Sequence, residues 1–178
     1  MMKPIIIILG TIPALVAILI SIPLLTQQDI PFSAAVPNDS IEIEYSVHDL
    51  RVVSFGVTER LGADTSQILT IREDGDIRLL ITKDGYPSPT IRNQIPYDDV
   101  MLLLALIKET GFMAIPEDTF PIKDDVTEYR RHAVKITLNG ASTQIFWPEQ
   151  NVTDAFIPPL ITQVETRLYD LLVQTRDN

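Results

Sequence analysis

Residues Ile68–Thr82 read ILTIREDGDIRLLIT. Two β-rich runs, Ile68 to Arg72 and Ile77 to Thr82, flank Glu73-Asp74-Gly75-Asp76. An Asp-Gly pair in that setting is the strongest short hairpin signal, because both central residues of the tight turn need φ > 0. The stretch predicts an antiparallel hairpin. Lys83-Asp84-Gly85-Tyr86-Pro87 ends its second strand, and Pro87, Pro89 and Pro96 bound a loop to the next element.

Downstream, Tyr97 to Thr110 (YDDVMLLLALIKET) carries the signals of a helix. Pro96 precedes it, Asp98 and Asp99 sit in the first turn, Lys108 lies near the end, Gly111 takes the position after the last turn, and Phe112 can fold back. Val100 to Ile107 is apolar on all sides, so this helix is expected to be covered on more than one face, yet eight residues cannot span a bilayer. Pro116 to Glu128 is an acidic, proline-containing loop. Arg131 to Leu138 and Ala141 to Trp147 are then joined by Asn139-Gly140, a second hairpin signal as strong as the first. In Pro158 to Gln174, the residues Leu160, Ile161, Val164, Leu168, Leu171 and Leu172 share one helical face, with Pro158 and Pro159 at the start.

Upstream, Ile41, Ile43, Tyr45 and Val47 alternate with Glu42, Glu44 and Ser46 at the period of a half-buried strand. Val52 to Thr58 is a further strand candidate. The economical architecture is α+β, an antiparallel sheet of hairpins with two helices packed on one face, occupying residues 41–178.

Before that domain, Thr26 to Ser40 (TQQDIPFSAAVPNDS) has the composition of a flexible tether, residues 26–40. Ahead of it, Ile5 to Leu25 (IIIILGTIPALVAILISIPLL) contains no charged side chain, and its 21 positions reach roughly 31 Å as a helix, close to a bilayer's hydrocarbon thickness. Pro13 and Pro23 are tolerated within a bilayer. Lys3, in the stub of residues 1–4, precedes this run and Asp29, Asp39, Glu42 and Glu44 follow it, so the positive-inside rule puts the N-terminus in the cytoplasm and the domain outside. Two readings stand: a transmembrane anchor over residues 5–25, or a signal peptide cut after Ala35 in the small-residue run Ser33-Ala34-Ala35, which would leave the domain secreted.

About 140 residues remain for folding, enough for one domain and too few for a second of enzyme size. From residue 26 onward 13 Lys and Arg face 24 Asp and Glu, so tether and domain together carry a net charge of −11. That balance repels phosphate backbones and argues against nucleic-acid binding. Cysteine is absent, which removes disulfides, thiolate nucleophiles and cysteine-bearing zinc motifs together.

Candidate chemistry is sparse. His48 and His132 stand outside any His-x-x-x-His or His-Glu-x-x-His spacing, and His132, sharing strand parity with Val134, Ile136 and Leu138, is expected near the sheet's edge. No nucleophile elbow, phosphate loop or dinucleotide fingerprint occurs. The acidic groups Glu73/Asp74/Asp76, Glu117/Asp118 and Asp124/Asp125/Glu128 fall in turns and loops without the spacing of a calcium site, and read as solvated charge. Arg130-Arg131 reads as protection of an edge strand. Asn38-Asp39-Ser40 and Asn151-Val152-Thr153 fit the N-glycosylation acceptor pattern. No catalytic residue, metal ligand or cofactor is expected.

The hairpin before the helix, the helix ending Lys108-Glu109-Thr110-Gly111-Phe112, the acidic loop with Asp125 and Tyr129, the strand closing at Asn139-Gly140 and the last amphipathic helix follow one another in an order that resembles the emfourin-like domains. The resemblance covers roughly residues 50–174. It implies a small α+β fold and inhibition of a thermolysin-type metallopeptidase. Members carry a Gly-Gly pair near the first strand, where this chain has Gly56 and Gly62 apart, and no inhibitor residue carries over position by position. The residues themselves point to a non-enzymatic, membrane-anchored domain outside the cell, either a protein-interaction or a cell-envelope module.

Overall fold

The computed structural model describes residues 38–55, 58–116 and 120–177, all within the compact unit Phe32–Asn178. The stretches read as stub, anchor, cleavage site and most of the tether lie outside the described residues, as do Glu117 and Asp118. Among the described residues no helix is long and apolar enough to cross a membrane.

The chain forms strands β1 (Ile41–Phe55), β2 (Thr58–Arg72), β3 (Asp76–Lys83), β4 (Tyr86–Pro87) and β5 (Ile91–Gln94). Helix α1 (Tyr97–Glu109) follows, then β6 (Glu128–Leu138), β7 (Ala141–Pro148) and helix α2 (Pro159–Asp177). The seven strands make one antiparallel sheet in the order β4-β3-β2-β1-β6-β7, with β5 pairing β3 beyond β4. The expected α+β architecture is present.

The sheet's two faces follow from the pleat, which sends successive side chains to opposite sides. In one row Ile77, Ile71, Ile43 and Ile136 stand side by side; in the next come Leu79, Leu69, Tyr45, Val134 and Ile145. All are buried. Each such aliphatic side chain contributes roughly 1.5–3 kcal/mol by leaving water. The helices cover this inner face: α2 turns Ile161, Val164, Leu168 and Leu172 inward and touches β3, β5 and α1.

Helix α1 matches its expected bounds to within one residue. Gly111 at φ 66° takes the left-handed position after the last turn, and Phe112 folds back into the core. The five consecutive residues Leu103 to Ile107 are buried, which one covered face cannot produce, while Leu102 remains 46% exposed. Beneath the helix, Lys108 pairs with Asp39, whose carboxylate also accepts a 2.8 Å hydrogen bond from Asn139 Nδ2.

Four local readings need correction. Val52 to Thr58 is no separate strand: β1 runs on to Phe55, and β2 starts at Thr58, ten residues before Ile68. Pairing with β1 supplies the hydrogen bonds that the polar, weakly patterned segment of residues 58–67 does not advertise. The expected loop between Pro87 and Pro96 contains β5, because Ile91 to Gln94 completes the free edge of β3. The decisive turn also differs from expectation. At Asp74-Gly75 only Gly75 has positive φ, 83°, and its N–H donates to Arg72 O at 2.9 Å, so a type I turn closed by one left-handed glycine makes the bend. The turns with two positive φ values are Asn139-Gly140 (51° and 84°) and Asp84-Gly85 (50° and 82°), the latter within a segment read as a strand end. Lastly, β6 lies between β1 and β7, so neither His132 nor Arg130-Arg131 is at an edge.

Candidate functional site

Three polar neighbourhoods deserve comparison, and the first is inside. The third row of the inner face brings Val47, His132 and Trp147 together. His132 is stacked between two rings: Tyr45 at 6.2 Å between centroids and 16° between planes, and Trp147 at 5.8 Å and 12°. Tyr45 Oη lies 3.0 Å from His132 Nδ1, Glu165 Oε1 of α2 lies 3.5 Å from the same nitrogen, and Trp147 Nε1 donates to Glu165 Oε2 at 2.9 Å. Burial pushes the His132 imidazole down to about 4, helped by the Arg130 charge. Burial raises the Glu165 carboxyl, against the Trp147 hydrogen bond that favours its ionised form. It also raises the Tyr45 phenol, with the Glu165 charge adding to the effect. The group ties α2 to the sheet. Tyr45, His132 and Trp147 are all buried.

At the end of that row the inner face opens into a cleft of about 280 Å³ lined by Asp49, Asp64, Glu128, Tyr129, Arg130 and Glu149, with Leu50 at its base. Arg130 Nε donates to Asp49 Oδ1 at 2.8 Å and its guanidinium is 3.9 Å from Glu149; Arg51 holds Asp64 at 2.9 Å. The hydrogen bond to Asp49 raises the Arg130 pKa further. Asp49, Asp64 and Glu149 are partnered by arginines rather than paired with one another, and among the described residues no cluster of His, Cys, Asp and Glu could hold a metal ion.

The third neighbourhood is the open face, the side without helices. It is built of rows such as Arg78, Thr70, Glu44, Lys135, Gln144 and Leu80, Ile68, Ser46, Ala133, Phe146. His48 Nδ1 and Ser66 Oγ meet there at 2.8 Å, and burial together with Arg131 lowers the His48 pKa. A serine and a histidine in contact suggest a nucleophile and its base. They lie on a pleated surface, outside the cleft above, and stand as a cross-strand pair.

Of the other acidic candidates, Glu73, Asp74, Asp124 and Asp125 are solvated turn charge, as expected, whereas Asp76 opens β3 and Glu128 opens β6 and lines the cleft. Glu73, Asp74, Asp124, Asp125 and Glu128 are exposed, Asp74 Oδ1 caps its own turn by accepting from Asp76 N at 3.0 Å, and Asp76 holds Arg78 at 2.8 Å. Asn38 and Asn151 are both exposed, but Thr153 of the second glycosylation motif is buried, its hydroxyl donating to Pro121 O at 2.7 Å. What sequence reading missed is the Tyr45–His132–Trp147–Glu165 group. A signal existed in the parity of His132 with Val134 and Ile136, which places it on the covered face. Its partners come from three other elements and required the register. Compared with protein-family models and with curated proteins, the chain matches none of them.

Proposed function

We propose that this protein is a non-enzymatic binding module, held at the outer side of a membrane by residues 5–25 and reaching a protein partner from its tether. The observation that carries the binding reading is the β1–β2 arm. Partners β6 and β3 accompany the two strands only as far as Arg51 and Thr65, and Val52 N–H still donates to Thr127 O at 2.8 Å. Beyond that, Val53 and Arg60 pair only across the ribbon, and Leu61 is 53% exposed. A lone two-stranded ribbon is marginally stable in water. A ribbon that extends past its sheet with aliphatic side chains on it gains most by packing on a second protein.

The test uses the full-length chain in native membranes, with a photoreactive side chain at Leu61 and, as a control, at Arg176 of α2. A discrete cross-linked species at position 61 and none at 176 is expected. Equal labelling at both, or none at 61, overturns the binding reading. Release of the intact protein by a carbonate wash overturns the tether.

A second reading follows the emfourin-like order of elements: a tethered inhibitor of a thermolysin-type metallopeptidase. The arm favours it, since a narrow projecting ribbon can enter an active-site cleft. Stoichiometric loss of activity when the full-length protein is added to several such enzymes supports it, and undiminished activity in excess inhibitor removes it.

A further inference from the structure

We infer that the open face of the sheet is the docking surface for an acidic polypeptide that carries an aliphatic or aromatic anchor. This rests on the reading that the module binds a protein, and names the chemistry of the partner.

Charge is the first argument. The chain as a whole carries −10, yet the open face runs the other way. Its carboxylates are each matched: Glu42 stands opposite Arg72, Glu44 opposite Lys135, and Asp76 holds Arg78 at 2.8 Å. Two arginines on this face have no carboxylate opposite them. Arg92 faces Arg78 directly across β3 and β5, and Arg131 faces His48, an imidazole whose pKa is lowered by burial and by Arg131 itself. Like charges directly opposite each other on a sheet destabilise it. Asp76 offsets this at Arg78 but leaves Arg92 facing a cation, which an anionic partner would relieve.

Shape is the second argument. The apolar row across this face has its bulk at the two ends, with Leu80 and Ile68 on one side and Phe146 on the other. Its middle is Ser46 and Ala133, both small and buried between taller neighbours. The result is a shallow trough across the strands. At its end the Arg131 guanidinium lies 5.6 Å from the centre of the Phe146 ring, and that ring is 41% exposed. An apolar side chain seated in the trough places flanking carboxylates toward Arg131 and Arg92.

The same observations select among occupants. A second copy using the same face brings positive onto positive. Nucleic acid and anionic lipid are repelled by the remaining acidic surface and meet three carboxylates within the face itself. A polypeptide with local negative charge is steered to this positive face without presenting a polyanionic sheet to the acidic surface elsewhere.

The experiment is fluorescence anisotropy with the full-length protein and a labelled short peptide of alternating Glu and Phe. Saturable binding is expected, weakened about tenfold or more by Arg131→Glu, and unchanged by Arg167→Glu on the exposed side of α2. A peptide with Gly for Phe should lose most of the affinity. Thermal unfolding checks that the variants fold, and Arg92→Glu at the sheet margin reads the same interaction if Arg131→Glu does not. Equal binding of a Lys/Phe peptide, no effect of either arginine variant, or displacement by phosphatidylserine vesicles or oligothymidylate overturns the inference. If the peptide fails to bind while Leu61 still cross-links, this inference alone falls; failure of both removes the binding reading as well.

Discussion

Phe146 and Trp147 are neighbours in β7, and they live in different solvents. Trp147 is 1% exposed, stacked on His132 and hydrogen-bonded to α2 through Glu165. Phe146 is 41% exposed on the open face, with Arg131 over its ring. Two large aromatic residues in sequence thus have different surroundings: one closes the core and ties a helix to it, the other stays exposed on the face without helices. The lesson is that residue type sets how much apolar surface is available, and the pleat decides whether the domain itself uses it.

Substitution can break that contrast. Trp147→Ala should destabilise by about 3–5 kcal/mol, since it opens a cavity under α2 and leaves Glu165 without its buried donor; urea unfolding measures it. A loss under about 1 kcal/mol would mean that α2 is not anchored here.

Acid acts on the inner face through His132. His132 titrates near 4 in the folded protein against 6.5 in the unfolded chain, so the unfolded state takes up the proton first. The stability this group contributes is present above pH 6.5 and lost as pH falls toward 4, with a ceiling of about 3 kcal/mol. Glu165 works in the opposite sense. Its raised pKa lets the folded state bind a proton first above 4.5, which offsets part of the His132 loss on acidification. Glu165→Gln should therefore steepen the decline between pH 6.5 and 4.5, and His132→Gln should flatten or invert it, as read from urea midpoints. Identical pH profiles for the two variants would refute the assignment.

Gly75 tests how β5 seals the inner face. It combines φ 83° with a position where an added Cβ would stand 2.4 Å from Ile95 O. Its carbonyl also accepts from Ile95 N at 3.0 Å. Gly75→Ala should cost about 2 kcal/mol, from left-handed strain and displacement of the chain after β5. The equivalent change at Gly85, with nothing within 4 Å, carries the strain alone and should cost less.

The smallest effect belongs to the outer face. Phe146→Ser should change stability by under about 1 kcal/mol, a direct contrast with its neighbour by the same urea assay. A larger loss would show that the open face contributes to the fold rather than being reserved for a partner.

Much of this architecture is legible in the residues. Helix α1 could be bounded because Pro96 and the acidic first turn mark one end and Gly111 the other, each signal acting within a few residues of the end it marks. Strand β1 showed itself by alternation, and Asn139-Gly140 marked its hairpin. Residues 58–67 concealed two thirds of β2, because Gly62, Ala63, Asp64, Thr65 and Ser66 have little strand preference of their own and are held by β1. Ile91 to Gln94 concealed β5 for the same reason. The Tyr45–His132–Trp147–Glu165 group was beyond sequence reading: its members are up to 120 positions apart, and only pairing register together with the crossing of α2 brings them into contact.

By itself, the sequence determined the period-2 and period-3.6 patterns, the helix limits and one of the tight turns, since these depend on steric and hydrogen-bonding preferences within a few residues. It also determined the acidic, cysteine-free character of the domain. Only the tertiary structure decided that β6 lies inside the sheet, that His132 is a core residue, and that the basic side chains of four strands gather on one face of an acidic protein. Those outcomes depend on which strands become neighbours, and that choice is made by the burial of all the apolar rows at once.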